Sequence, residues 1–176
     1  LKIKNMEKVS SARIALKWGL IYGVVGIVYN TLAYNTGIWK NWIIGLLAML
    51  IMLFGVLYLA FNEFKTLNNG FMTFKDGLGL GMLTISTGAL LSVLFDNFYR
   101  KYIDPSLIEQ QIEMITEQYE SMGLSEAQIE EAVQKVESSA NSGLGFLWGI
   151  LGAIFIGFIA SLIMSAIMKK DKPVFS

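Results

Sequence analysis

Four apolar blocks, roughly Trp18 to Tyr34, Trp42 to Phe61, Gly77 to Phe95 and Leu144 to Met168, run without a single Asp, Glu, Lys or Arg. A helix rises about 1.5 Å per residue, so about twenty apolar residues cover the ~30 Å hydrocarbon core of a bilayer. Each block therefore spans once, with different tilts expected for the short first block and the long fourth. A chain of 176 residues, 54% hydrophobic and only 16% charged, does not describe a soluble domain. The expected fold is a single all-α membrane domain over residues 1–176, with four transmembrane helices at about 18–34, 42–61, 77–95 and 144–168. A helical insert over 96–143 separates the last two.

Charge placement predicts the threading. Lys2, Lys4, Lys8, Arg13 and Lys17 precede the first block, Lys65 and Lys75 lie in the second connection, and Lys169, Lys170 and Lys172 lie in the tail. The opposite side receives Lys40, Arg100, Lys101 and Lys135, so ten basic residues face four. The positive-inside rule puts both termini in the cytoplasm and the insert outside, in an inner (cytoplasmic) membrane crossed several times. The basic lead is long, and Tyr29 and Asn30 sit poorly before a cleavage site, so the first block reads as a retained helix rather than a signal peptide. Translation from Leu1 or from Met6 gives the same threading.

The inventory excludes much chemistry. With no Cys and no His, thiol nucleophiles, disulfides, Cys/His metal sites and imidazole acid–base catalysis are unavailable to the chain. Gly77, Gly79 and Gly81 open a membrane helix without a preceding strand or a Lys–Ser/Thr pair, so they are no phosphate loop. No basic patch outside the membrane-flanking lysines suits nucleic acid. The chain reads as no enzyme, with no catalytic residue, metal site or cofactor.

Small residues recur every fourth position in the last block: Gly145, Gly149, Ala153, Gly157, Ser161 and Ser165. Lipid tails are as apolar as Leu, so membrane helices associate by close packing, which such a ridge permits. The third block repeats the device with Gly77, Gly81, Thr84, Gly88 and Ser92, and the first with Gly19, Gly23 and Gly26. Packing within a four-helix bundle is preferred to a homo-oligomer seam. Ser and Thr hydroxyls in these helices are expected to return hydrogen bonds to the carbonyl four residues back. Asn30 is expected to bond between helices, the alternative being a headgroup-level site. The Tyr and Trp residues near block ends read as interfacial anchors. Phe61, Phe64, Leu67, Phe71 and Phe74, interleaved with lysines, suggest a connection lying along the headgroups.

The insert carries ten acids against three basic residues. A helix begins at Asp104-Pro105 or is capped by Ser106 with Glu109. Taking Ile108 as zero and stepping by 100°, Ile112, Ile115, Tyr119 and Met122 fall within about 40°, while Glu109, Glu113, Glu117 and Glu120 fall at about 100° to 180°. Gly123 ends that helix, and Ser125 with Gln128 caps a second whose apolar face is Ile129, Ala132, Val133, Val136 and Ala140. The two make an amphipathic hairpin whose acids read as a solvated face. Its partner surface is Ile108, Ile112, Ile115 and Tyr119 with Glu109, Glu113 and Glu117. Arg100 and Lys101 are placed to anchor lipid phosphates.

Four segments carry a family resemblance: "TFKDG" (Thr73 to Gly77), "IDPSLIEQQ" (Ile103 to Gln111), "GLSEAQIE" (Gly123 to Glu130) and "SLIMSAIMKKDKP" (Ser161 to Pro173). Nearly end to end, the chain resembles a family of small bacterial inner-membrane proteins of unknown function, DUF family four-one-nine-nine. The resemblance implies a four-helix membrane protein with an acidic helical insert and implies no activity and no site residues. The function expected from the residues is a non-enzymatic scaffold or accessory subunit in contact with lipid, showing its acidic hairpin to another membrane or extracytoplasmic protein. The alternative is a small transporter or lipid-handling protein acting as an oligomer.

Overall fold

The computed structural model describes residues 10–142 and 144–172. Lys2, Lys4, Lys8, Gly143, Pro173 and both candidate start residues lie outside the described residues. Six helices follow in order: α1 (Ser11–Thr36), α2 (Trp42–Leu67), α3 (Phe74–Phe98), α4 (Ser106–Ser121), α5 (Glu126–Ser142) and α6 (Leu144–Met168). Four are long and apolar enough to cross a membrane: α1, α2, α6, and α3 with its extension to Ile103.

α1, α2 and α3 outrun their apolar blocks because capping chemistry, not hydropathy, sets their ends, whereas α6 coincides with its block. The Ser10 hydroxyl accepts the Arg13 N–H at 3.3 Å and starts α1 seven residues before Trp18. Gly37, at φ 73°, closes α1 in the left-handed region, and a 3-10 turn at Ile38–Lys40 reverses the chain. Asn41 then caps α2 by accepting the N–H groups of Ile43 and Ile44. At α3, Thr73 and Asp76 form a reciprocal capping box, each accepting the other's backbone N–H at 3.1 Å.

α3 is the axis of the bundle. Its Gly88 meets α1 so closely that a Cβ there would lie 2.7 Å from the Gly19 carbonyl oxygen. On the other side Gly81 and Gly77 receive Ser161 and Ser165 of α6. The small-residue series of α3 is thus divided between two neighbours, with α1 and α6 on separate sides of it. α2 lies across all three and packs through Leu53, Val56, Leu57, Ala60, Phe61 and Phe64, all from Leu53 onward. Its first half, bulky and without a small-residue ridge, faces outward, Trp42 and Ile51 each being 73% exposed.

Both described chain ends lie at one end of the bundle, the termini end. There Met72 and Lys170 form an antiparallel bridge with N–H···O distances of 2.9 and 2.8 Å, and Lys65 donates to the last α6 carbonyl, Met168 O, at 3.2 Å. The connection is thereby tied to the end of α6. Phe61 and Phe64 point into the core because α2 continues to Leu67 and carries them onto its packed face.

At the opposite end α4 and α5 pack on each other as a hairpin. Gly123, at φ 73°, reverses the chain while the Leu124 N–H reaches back to Tyr119 O at 3.1 Å. The start of α4 differs from both expected caps: its first N–H groups bond to backbone carbonyls of Asp104 and Pro105, and the Ser106 hydroxyl instead donates to the Asp104 carboxylate at 2.6 Å. Ser125 starts α5 through its own N–H, which donates to the Gln128 side chain at 3.0 Å.

Candidate functional site

The largest set of converging polar side chains among the described residues lies at the hairpin end. Asp96 and Arg100 are one helical turn apart, where α3 passes into a π turn at Tyr99–Ile103 closed by Asp104 N–H to Tyr99 O at 2.9 Å. Such wide turns displace side chains from the regular helical register and recur at functional sites. The Arg100 guanidinium is held on three sides: Nε donates to Asp96 at 3.0 Å, Nη2 to the Tyr34 hydroxyl at 2.8 Å and Nη1 to Gln111 Oε1 at 2.9 Å. The Tyr34 hydroxyl in turn donates to Asp96. Four elements, α1, α3, the π turn and α4, thereby share one network. A guanidinium carries five N–H donors, so two remain for another acceptor.

Two cavities meet at this arginine. The first, about 690 Å³, is a groove beneath the hairpin, walled by α3 and the π turn, by Pro105, Ile108 and Gln111, by Lys135, Val136, Ser139 and Ala140 of α5, and by Gly145, Phe146 and Gly149 of α6. The second, about 600 Å³, is a cleft within the bundle, opened because the first half of α2 stands away from the other helices. Met49, Met52, Leu53, Ile85 and Ile156 line it below, and Tyr29, Asn30, Tyr34, Trp39 and Trp148 line it toward the hairpin end. Val93, Arg100 and Gly149 line both.

Charge is sorted across the hairpin. All three basic residues of the insert, Arg100, Lys101 and Lys135, line the groove, and Asp96 is the only acid among its lining residues. Glu109, Glu113 and Glu117 are exposed on the opposite face of α4. Lys135 also bridges Glu131 at 2.7 Å on the surface. Their hydrogen bond holds the Glu131 carboxyl below its ordinary value and raises Lys135, so both are charged at neutral pH.

The remaining residues singled out from sequence fall in three places. Ile108, Ile112, Ile115 and Tyr119 are half-buried in the hairpin. Gly157 lies against Ile85 of α3, Ser161 against Gly81 and Gly149 near Val93, while Gly145 faces the Ser139 backbone of α5. Ala153 lines the cleft. Thr31, Thr84 and Thr87 return hydrogen bonds to the carbonyl four residues back, but Ser92 crosses to Gly23 O at 3.1 Å. The Ser161 and Ser165 hydroxyls depart from the expectation, being buried without a partner among the described residues. Each sits over the bare Cα face of a glycine, where no acceptor is in reach. Asn30 makes no interhelical bond among the described residues and lines the cleft instead, since α2 leans away from it.

From sequence Tyr34 reads as an interfacial anchor and Asp96 as part of a solvated acidic face, and Gln111 carries no signal. The i, i+4 spacing of Asp96 and Arg100 is a signal for their pairing. No sequence signal joins Tyr34 to either across more than sixty residues. Among the described residues, no three acidic side chains converge in a way that holds a metal ion.

The family model described as "Protein of unknown function (DUF4199)" matches residues 17–170. No curated protein and no solved structure matches the chain.

Proposed function

The chain belongs to the DUF4199 family, and from that premise we propose that it is a non-enzymatic scaffold or accessory subunit of the bacterial inner membrane that shows its acidic hairpin face to an extracytoplasmic protein. The observation that supports this is the sorting of charge on α4. Its apolar residues are half-buried in the hairpin, whereas Glu109, Glu113 and Glu117 form an exposed stripe turned away from the bundle. A partner with a basic surface complements that stripe, and such contacts chiefly set specificity and association rate. The basic residues support the threading: Arg13, Lys17, Lys65, Lys75, Lys169, Lys170 and Lys172 lie at the termini end, the end that the positive-inside rule favours for the cytoplasm.

The test is co-purification from detergent extracts of cells. A stoichiometric partner retained by the full chain should be lost when Glu109, Glu113 and Glu117 are all changed to Gln, and when residues 104–142 are replaced by a short linker. If both variants keep every association of the parent, the scaffold reading is wrong.

A further inference from the structure

A membrane helix that leans away from its neighbours leaves a gap that lipid must fill, because an empty apolar void of this size forfeits dispersion contacts on every wall. The cleft between α2 and the other three spans is such a gap, and at about 600 Å³ it lies within the roughly 300–1,000 Å³ range of ligand pockets. Its lower walls are apolar and its mouth carries the Asn30 amide, which has no partner among the described residues and needs hydrogen-bond partners in lipid. Above the mouth, Arg100 opens into a groove that gathers Lys101 and Lys135 from a segment otherwise dominated by acids.

We propose that cleft and groove together bind one anionic phospholipid of the bilayer, with its phosphate at Arg100, Lys101 and Lys135 and an acyl chain in the cleft. The phosphate takes the two guanidinium N–H groups that Asp96, Tyr34 and Gln111 leave unused. Arg100 is already fixed by those three partners, so little side-chain entropy is lost on binding. Lys135 exchanges its exposed partner Glu131 for the phosphate readily, since an exposed pair of this kind contributes little. The glycerol region lies beside Asn30, with Trp39 and Trp148 at the headgroup level. This inference is independent of the scaffold reading, because Glu109, Glu113 and Glu117 line neither cavity.

The experiment uses the full chain purified in mild detergent, with binding of fluorescent phosphatidylglycerol compared with phosphatidylcholine of the same chains. Two variants separate the parts of the site. The double variant Lys101→Gln, Lys135→Gln removes headgroup charge without touching the Arg100 network. Gly152 lines the cleft and an added Cβ there meets nothing within 4 Å, so Gly152→Phe sets its ring into the cleft. Phosphatidylglycerol should bind about tenfold or more tightly than phosphatidylcholine, a preference the double variant abolishes. Gly152→Phe should weaken both lipids by about tenfold or more while the helical content and melting temperature stay at parent values. Equal binding of the two lipids by the parent chain, or full phosphatidylglycerol binding by Gly152→Phe, overturns the proposal. So does competition by glycerol phosphate at concentrations similar to the lipid, which assigns the groove to a free anion.

Discussion

Lys17 of α1 and Glu63 of α2 form an ion pair across forty-six residues of sequence, and the same carboxylate accepts the Trp18 indole N–H at 2.6 Å. Glu63 lies inside a helix long and apolar enough to cross a membrane, where an unpaired carboxylate is costly. Pairing with a residue at the start of α1 resolves this, and it ties α2 to α1 at the end where the core is densest. Glu63→Ala should lower stability by about 1–2 kcal/mol, a figure discounted for the half-exposed Lys17, and Glu63→Gln, which still accepts from Trp18, by less. Thermal unfolding in detergent measures both, and equal losses would show that the indole bond contributes nothing.

Glycines on α3 divide by what surrounds them. A Cβ at Gly81 would lie 2.5 Å from Ser161 Oγ, whereas one at Gly79, two residues away, meets nothing within 4 Å. Gly81→Val should destabilise the bundle by about 2–3 kcal/mol by forcing α6 off α3. Gly79→Ala should be neutral or stabilise by up to about 1 kcal/mol through helix propensity. Melting temperatures that fail to separate the two substitutions would contradict this packing of α3.

Ser161 tests whether its hydroxyl or its small size matters. The Oγ is buried without a partner among the described residues, so Ser161→Ala should leave stability unchanged or raise it by about 1 kcal/mol. Ser161→Val, which adds volume against Gly81, should lower it by about 1–3 kcal/mol. A clear loss in Ser161→Ala would reveal a hydrogen bond that the packing does not contain.

Arg100 joins the hairpin to the spans through Asp96, Tyr34 and Gln111. Arg100→Ala should loosen α4 by about 2–3 kcal/mol, seen as faster amide exchange over Ser106–Ser121 with little change in α3. Arg100→Lys keeps the charge but not the planar fork, and should recover less than half of the protection. Unchanged exchange in α4 would mean that the hairpin is seated without this network.

Threading is open to direct labelling. In an otherwise cysteine-free chain, Glu117→Cys should react with an impermeant thiol reagent in intact cells or after outer-membrane permeabilisation, and Lys170→Cys should not. The reverse pattern would invert the proposed orientation.

Four spans, their order and the two amphipathic helices between the third and fourth were legible because hydropathy runs and 3.6-residue periodicity are local properties. The helix ends were less so. α1 starts at Ser11 and α2 continues to Leu67 because caps and a paired Glu63 extend helices past the point where hydropathy stops. The glycine and serine ridges announced close packing, yet they do not say against what: one α3 series serves α1 through Gly88 and α6 through Gly81.

What the sequence alone determined is therefore four helices long and apolar enough to cross a membrane and the separation of acidic from apolar residues around α4, all set by side-chain chemistry at fixed helical spacing. Only the tertiary structure decided that the first half of α2 stands off the bundle. Only it decided that Tyr34, Asp96, Arg100 and Gln111 meet, and that Lys135 lines one groove with the adjacent pair Arg100 and Lys101. Those outcomes depend on how rigid helices cross. A crossing angle is the sum of many weak contacts along two surfaces, and no single residue or spacing encodes it.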